Sequence, residues 1–113
     1  MEIKFQNYGQ ARTINPTDGE IAIYENIVKV LSDAELDTTC MEFIRKSDSY
    51  VSACMKSNSG YDYMDVARFK YTDRAKWIKT GVDFNKFKIS DPDDVLDLSE
   101  ELITNYRYNE PYL

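Results

Sequence analysis

The chain has 113 residues, of which 42% are hydrophobic, 13% are aromatic and 30% are charged, with a formal net charge of −6 at pH 7. These values are typical of a folded domain and exclude intrinsic disorder, because the aromatic residues supply more apolar burial than disordered chains carry. No apolar run approaches the ~20 residues of a membrane-spanning helix. We therefore expect one globular domain over residues 1–113 that makes no contact with a membrane.

The missing residue types exclude most enzyme classes. The sequence contains no histidine, which removes the commonest proton-transfer side chain near neutral pH and the Ser-His and Cys-His nucleophile pairs. Its four glycines are too scattered to form a phosphate-binding loop such as GxGxxG. The sequence predicts a protein that is not an enzyme and holds no metal or cofactor. A carboxylate-based, metal-dependent hydrolase is the enzymatic alternative left open.

Cys40 and Cys54 are the two cysteines of the chain. A hairpin over residues 40–55 would place them on adjacent strands, where a disulfide is geometrically conceivable, but the expected register puts Cys40 opposite Met55 and Cys54 opposite Met41. The first residues, however, lack the basic-then-apolar layout of a signal peptide. We interpret both cysteines as reduced, half-buried thiols and expect a cytoplasmic protein.

The first predicted helix follows a short strand-like segment over residues 1–5. Thr17 with Glu20 three residues later has the form of a capping box. After it, apolar residues recur at spacings of three and four, at Ile21, Tyr24, Ile27, Val28 and Leu31. This pattern predicts an N-terminal helix over about residues 18–34.

From about residue 39 to residue 80 the hydrophobic period changes to two, which is typical of strands. Turn-forming residues interrupt the alternation at Asn58-Ser59-Gly60 and at Thr72-Asp73. In the segment between these turns, Ala67 and Phe69 share one face, and Val66 and Arg68 share the other. Four strands joined by short turns predict an antiparallel β-meander.

A C-terminal helix is predicted over about residues 91–106. Ser90 or Asp91 can cap it, and Pro92 occupies the first turn, where proline is favoured. A Tyr-rich tail over residues 107–113 follows and is free to be flexible. The predicted fold is α+β: a four-stranded antiparallel meander flanked by two helices that cover one of its faces.

The charges are distributed unevenly along the chain. Residues 65–88 carry seven basic and three acidic side chains, whereas residues 89–113 carry one basic and seven acidic side chains. The last predicted strands are therefore basic and the C-terminal helix is acidic. Each segment predicts a different functional surface.

The acidic helix supports the leading interpretation, a non-enzymatic protein-interaction module. The carboxylates of residues 91–101 would give about one charge per 2.5 Å of helix, close to the one per roughly 3.4 Å of a nucleic-acid strand. Such a surface imitates a phosphate backbone and fits a basic groove on a partner protein. The residues assigned to partner binding are Asp93, Asp94, Asp97, Glu100, Glu101, Tyr106 and Tyr108. The competing interpretation is a solvated face whose acids lie favourably near a helix N-terminus.

The basic strands support the alternative, a nucleic-acid-binding module. Arg and Lys beside aromatic residues on a sheet can bind a single strand by stacking and phosphate contact. The residues assigned to this function are Arg68, Lys70, Arg74, Lys76 and Trp77. The same alternation also fits a sheet with one solvated side, and a pI near 4.6 opposes a polyanion at long range.

The size, acidity and tyrosine-rich ends of the chain resemble small inhibitor proteins that phages and other mobile elements encode. This is a likeness of type, and no single motif carries it. Contact between the basic strands of one copy and the acidic helices of another would instead produce a homodimer.

Overall fold

The computed structural model describes residues 5–7, 14–47, 49–60 and 62–113. It contains a six-stranded sheet whose strands lie in the order in which they occur along the chain. The strands are β1 (Phe5–Asn7), β2 (Met41–Ser47), β3 (Tyr50–Lys56), β4 (Tyr63–Tyr71), β5 (Lys76–Thr80) and β6 (Asn85–Lys88). The helices are α1 (Asp18–Asp33), a 3₁₀ helix (Pro92–Leu98), α2 (Ser99–Asn109) and a last 3₁₀ turn (Glu110–Tyr112).

The α+β class and both flanking helices are confirmed, but the sheet is larger than predicted. The predicted meander corresponds to β2–β5, and β1 and β6 extend it at its two edges. β1 pairs with β2 in parallel, whereas all later pairs are antiparallel. The parallel pair requires a crossover, which α1 supplies. Of the strand-like segment predicted over residues 1–5, residues 1–4 lie outside the described residues.

Helix α1 begins at its predicted cap. The Thr17 hydroxyl accepts a hydrogen bond from the Glu20 N–H at 3.1 Å, and the Glu20 carboxylate accepts one from the Thr17 N–H at 2.9 Å. The same carboxylate binds the Arg45 guanidinium of β2 at 2.8 Å, and the two side chains are only 7% and 4% exposed. A buried ion pair therefore ties the start of the helix to the sheet.

The core lies between the helices and one face of the sheet. The Phe43 ring of β2 stacks on Tyr24 of α1 with ring centroids 4.6 Å apart, and it lies 6.0 Å from the Phe69 ring of β4. Leu102 and Tyr106 of α2 belong to the same buried cluster. We call the opposite face of the sheet the outer face; it is buried at Ile44 of β2 and Cys54 of β3 and carries exposed cations on β4 and β6.

A bulge in β4 breaks the predicted alternation. Ala53 of β3 pairs with Ala67, but the next residue, Cys54, pairs with Asp65, so that Val66 is an extra residue. Val66 and Ala67 are both fully buried in the core. The prediction that Val66 shares a face with Arg68 is wrong, because the extra residue of a bulge interrupts the alternation of faces.

The register of β2 and β3 also differs from the prediction by one residue. Met41 pairs with Met55 and Glu42 pairs with Cys54. Both cysteines are free thiols; Cys40 is half-buried, whereas Cys54 is fully buried. Burial raises the pKa of the Cys54 thiol to about 12, so that this thiol is neutral at physiological pH.

The C-terminal helical segment starts where predicted but in a tighter form. Asp91 and Asp94 form a capping box around Pro92, and the first turns are a 3₁₀ helix that leads directly into α2. α2 continues to Asn109, so part of the predicted tail is helical. Asn109 also donates a hydrogen bond to the Asp65 carbonyl of β4 at 3.0 Å, which anchors the end of α2 beside the bulge. No helix of the described residues is both long and apolar enough to cross a membrane.

Candidate functional site

The outer face is basic over the last three strands. Residues paired across antiparallel strands lie side by side, so that β4, β5 and β6 carry two rows of neighbouring side chains. The first row consists of Arg68, Lys79 and Lys86, and the second consists of Lys70, Trp77 and Lys88. We call these six residues the basic face.

The first row brings like charges together. Lys79 pairs with Arg68 on one side and with Lys86 on the other. Like charges directly opposite each other destabilise a sheet. Among the ion pairs of the described residues, Arg68 has a carboxylate partner, but none of the four lysines of the basic face has one. An anionic ligand would neutralise this concentration of positive charge.

Arg68 is positioned by three neighbours. Its Nε donates to the Asp65 carboxylate at 2.6 Å, and its guanidinium carbon lies 5.9 Å from the Tyr50 ring centroid and 5.4 Å from that of Phe84. Asp65 also accepts a hydrogen bond from the buried Ser52 hydroxyl at 2.5 Å. The Arg68 side chain is nevertheless 46% exposed, so it retains surface for a ligand.

Trp77 lies in the middle of the second row and is half-buried. The ammonium groups of Lys79 and Lys86 lie 5.5 and 5.2 Å from its ring centroid, within the range of a cation–π contact. Trp77 also lines an open groove of about 480 Å³ between the β4–β5 turn and the segment that follows β6. We call this the Trp77 groove, and its charged lining residues are Asp73, Arg74, Lys76, Lys86 and Lys88.

Three of the five residues predicted to bind nucleic acid share one surface. Arg68, Lys70 and Trp77 lie on the basic face. Lys76 precedes Trp77 in β5 and therefore points to the other face, where its ammonium group lies 4.7 Å from the Tyr71 ring centroid. Arg74 lies in the β4–β5 turn, and both Arg74 and Lys76 line the Trp77 groove.

Strand β6 supplies Lys86 and Lys88, two cations of the basic segment over residues 65–88 that were not assigned to nucleic-acid binding. Lys86 and Lys88 are exposed on the outer face, whereas Phe87 between them packs against the core. The alternation Lys-Phe-Lys was the available signal. A segment of four residues with one apolar side chain is too short to be assigned to a particular sheet edge from sequence.

Two of the acidic residues assigned to partner binding have structural contacts. The Asp94 carboxylate accepts hydrogen bonds from the N–H groups of Ser90 and Asp91, at 2.8 and 3.1 Å. Asp93 accepts one at 3.2 Å from the Asn26 side chain of α1. These carboxylates cap the helical segment and hold it against α1. Of the other three acidic residues assigned to partner binding, Asp97 and Glu100 are exposed and Glu101 is half-buried.

The two tyrosines assigned to partner binding lie in different environments. Tyr106 is 1% exposed, and its hydroxyl donates to the Asp37 carbonyl at 2.7 Å. Burial raises its pKa to about 12. Tyr108 is 58% exposed and lines a shallow groove with Tyr63 and Tyr112. Tyr106 therefore packs in the core, whereas Tyr108 is accessible to a partner.

Comparison with protein-family models, with curated proteins and with solved structures returned no match to this chain. Within the part of the chain that the structure describes, no group of three Asp, Glu, Cys or His side chains is arranged to hold a metal ion. The candidate functional features of the described residues are the basic face, the Trp77 groove and the exposed acids of the C-terminal helices.

Proposed function

We propose that this chain is a non-enzymatic binding module whose basic face binds nucleic acid. The observation that carries the proposal is the first row, in which Lys79 lies between Arg68 and Lys86. Like charges in such a row oppose the folding of the sheet, which supports a role for them in binding. A phosphate backbone is the ligand that would neutralise several of these cations at once.

The shape of the basic face suits an extended anionic chain. Neighbouring strands are about 4.8 Å apart, and residues on the same face of one strand are about 6.8 Å apart. The cations therefore cover an area of about 10 by 7 Å, with aromatic rings beside them at Tyr50, Trp77 and Phe84. Alternating cations and aromatic rings on a sheet bind nucleic acid through phosphate contact and base stacking.

The net charge of −6 is compatible with this proposal because of where the acids lie. The C-terminal segment that carries seven of them packs with α1 on the core side of the sheet. Exposed charges separated by more than about 8 Å are largely screened at physiological ionic strength. The two rows contribute five cations to the outer face, and the acids nearest to the Trp77 groove are Asp73, which lines it, and Asp91, which directly follows the lining residue Ser90.

The proposal is tested by fluorescence anisotropy with labelled single-stranded DNA, duplex DNA and RNA. We expect binding that weakens as salt is raised and that is lost in a K79Q/K86Q variant. Lys29 provides the matched control, because it is an exposed lysine of α1, on the helical side of the molecule. Absence of binding at low salt would contradict the proposal, as would an equal loss of affinity in K29Q.

A protein partner with a basic groove is a second proposal, supported by the exposure of Asp97 and Glu100. Neither side chain forms an ion pair or hydrogen bond among the described residues. The variant D97N/E100Q tests it without removing the Asp94 cap. We expect this variant to lose a protein partner captured from the native host while its thermal unfolding is unchanged. Wild-type capture by the variant would contradict the second proposal.

A further inference from the structure

We infer that the Trp77 groove is a nucleobase site, so that the basic face takes a single strand with one base stacked on the indole. The inference rests on the proposed function and adds two statements to it. The ligand is single-stranded, and one of its bases occupies a defined position between the β4–β5 turn and the end of β6.

The position of Trp77 is the first argument. Its neighbour Ile78 points into the core and is fully buried, whereas Trp77 points outward and is half-buried. Among the described residues its ring contacts no other aromatic ring, and the ammonium groups of Lys79 and Lys86 lie 5.5 and 5.2 Å from its centroid. A large aromatic side chain held among cations on an outer face is an arrangement that stacks bases.

The groove itself is the second argument. Its volume of about 480 Å³ lies within the range of about 300–1,000 Å³ that is typical of small-molecule sites. Arg74 lines it from the β4–β5 turn, and Lys86 and Lys88 line it from β6. A base against the indole would therefore have cations on both sides for its flanking phosphates.

Asp73 is the third argument, because it favours a base over a bare polyanion. Asp73 lines the groove and has no ion-pair partner among the described residues, although Arg74 is adjacent in the chain. A carboxylate repels phosphate, but it accepts hydrogen bonds from the exocyclic amino group of a base such as cytosine. A duplex presents only base edges, whereas a single strand can turn a base out to stack and to expose that group.

The inference is tested through the fluorescence of Trp77, which is the only tryptophan in the chain and so reports on this groove alone. The probes are a single-stranded oligo(dC) octamer, an abasic octamer with the same number of phosphates, and inorganic polyphosphate. We expect oligo(dC) to quench the fluorescence and to bind about tenfold more tightly than the abasic octamer, since stacking on an aromatic ring strengthens binding by about that factor per base. Polyphosphate has no base to stack on the indole and should not quench the fluorescence.

Two variants examined by anisotropy sharpen this test. W77A should bind oligo(dC) only as tightly as the abasic octamer, whereas W77F should retain much of the difference because it keeps an aromatic ring. Circular dichroism shows whether each variant is folded. The comparison of the two octamers on the unaltered chain remains a test even if a variant fails to fold. Equal binding of the two octamers would overturn the nucleobase site and leave the proposed function standing. Absence of binding by both would overturn the inference and the proposed function together.

Discussion

Lys79 and Lys86 pair directly across β5 and β6, and their ammonium groups lie 5.5 and 5.2 Å from the ring centroid of Trp77. Two like charges in these positions repel each other. The indole offsets part of that repulsion, because the negative face of an aromatic ring attracts cations. Both ammonium groups are therefore held beside one indole ring on the outer face.

A charge reversal at Lys86 should separate stability from binding. In K86E the repulsion of Lys79 becomes an attraction, and cross-strand pairs of opposite charge are worth about 0.2–1 kcal/mol. We expect the free energy of unfolding, measured with urea, to rise by that amount while nucleic-acid affinity falls. K86Q removes the repulsion without adding an attraction and should be intermediate in stability. A K86E variant that is less stable than K86Q would contradict the gain in stability expected from an opposite charge beside Lys79.

The salt dependence of binding should identify the cations that contact phosphates. For a single strand, log Kobs changes with log[salt] by about −0.7 for each phosphate contact. K70Q and K88Q should each reduce the steepness of this slope by about 0.7. K29Q, on α1, should leave the slope unchanged. If K70Q and K88Q keep the wild-type slope, the second row does not contact the backbone.

The buried pair of Glu20 and Arg45 should be essential to the fold. R45A leaves the Glu20 carboxylate buried without its ion partner, and removing one partner of a buried pair costs about 3–5 kcal/mol. We expect the free energy of unfolding of R45A, measured with urea, to be lower by that amount. K29A breaks the exposed pair of Lys29 and Asp33, which is a control worth about 0.3–0.5 kcal/mol. Similar losses in the two variants would contradict this role of Arg45.

Alkaline pH should destabilise the fold through Cys54. Burial raises the pKa of its thiol from 9.0 to about 12, so above pH 9.0 the unfolded chain releases a proton that the folded chain retains. This contribution to stability is complete below pH 9.0 and is lost as the pH rises toward about 12. Between these pH values, the free energy of unfolding should decline less steeply in C54A than in the unaltered chain. C40A should change this decline by a smaller amount. A C54A slope equal to that of the unaltered chain would contradict the assignment.

The helices were predictable from sequence because their signals are local. The capping box of Thr17 and Glu20 lies within four residues, and Pro92 follows directly after its cap, Asp91. The site was only partly predictable, because it depends on which strands pair and in which register. The common face of Arg68 and Lys70 follows from alternation, whereas the position of Trp77 beside Lys70 depends on the pairing of β4 with β5, and that of Lys86 beside Lys79 depends on the turn that joins β5 to β6.

The turn between β5 and β6 contains a backbone conformation that its sequence does not favour. Phe84 has a φ of 51°, a left-handed conformation that bulky side chains rarely adopt. Its ring lies against Arg68, so the strained residue is also part of the outer face. The bulge at Val66 is equally non-local, since it is defined by the pairing of β4 with β3. Both features become visible only when the strands are assembled.

The most direct test of the central claim is the affinity of a labelled single-stranded octamer for the unaltered chain and for K79Q/K86Q, at about 50 and 200 mM salt. If the basic face binds nucleic acid, the unaltered chain should bind the octamer at the lower salt concentration, and its affinity should fall steeply at the higher one. K79Q/K86Q should lose most of this binding at both concentrations. Binding that is indifferent to salt, or a K79Q/K86Q variant that binds as the unaltered chain does, would contradict it.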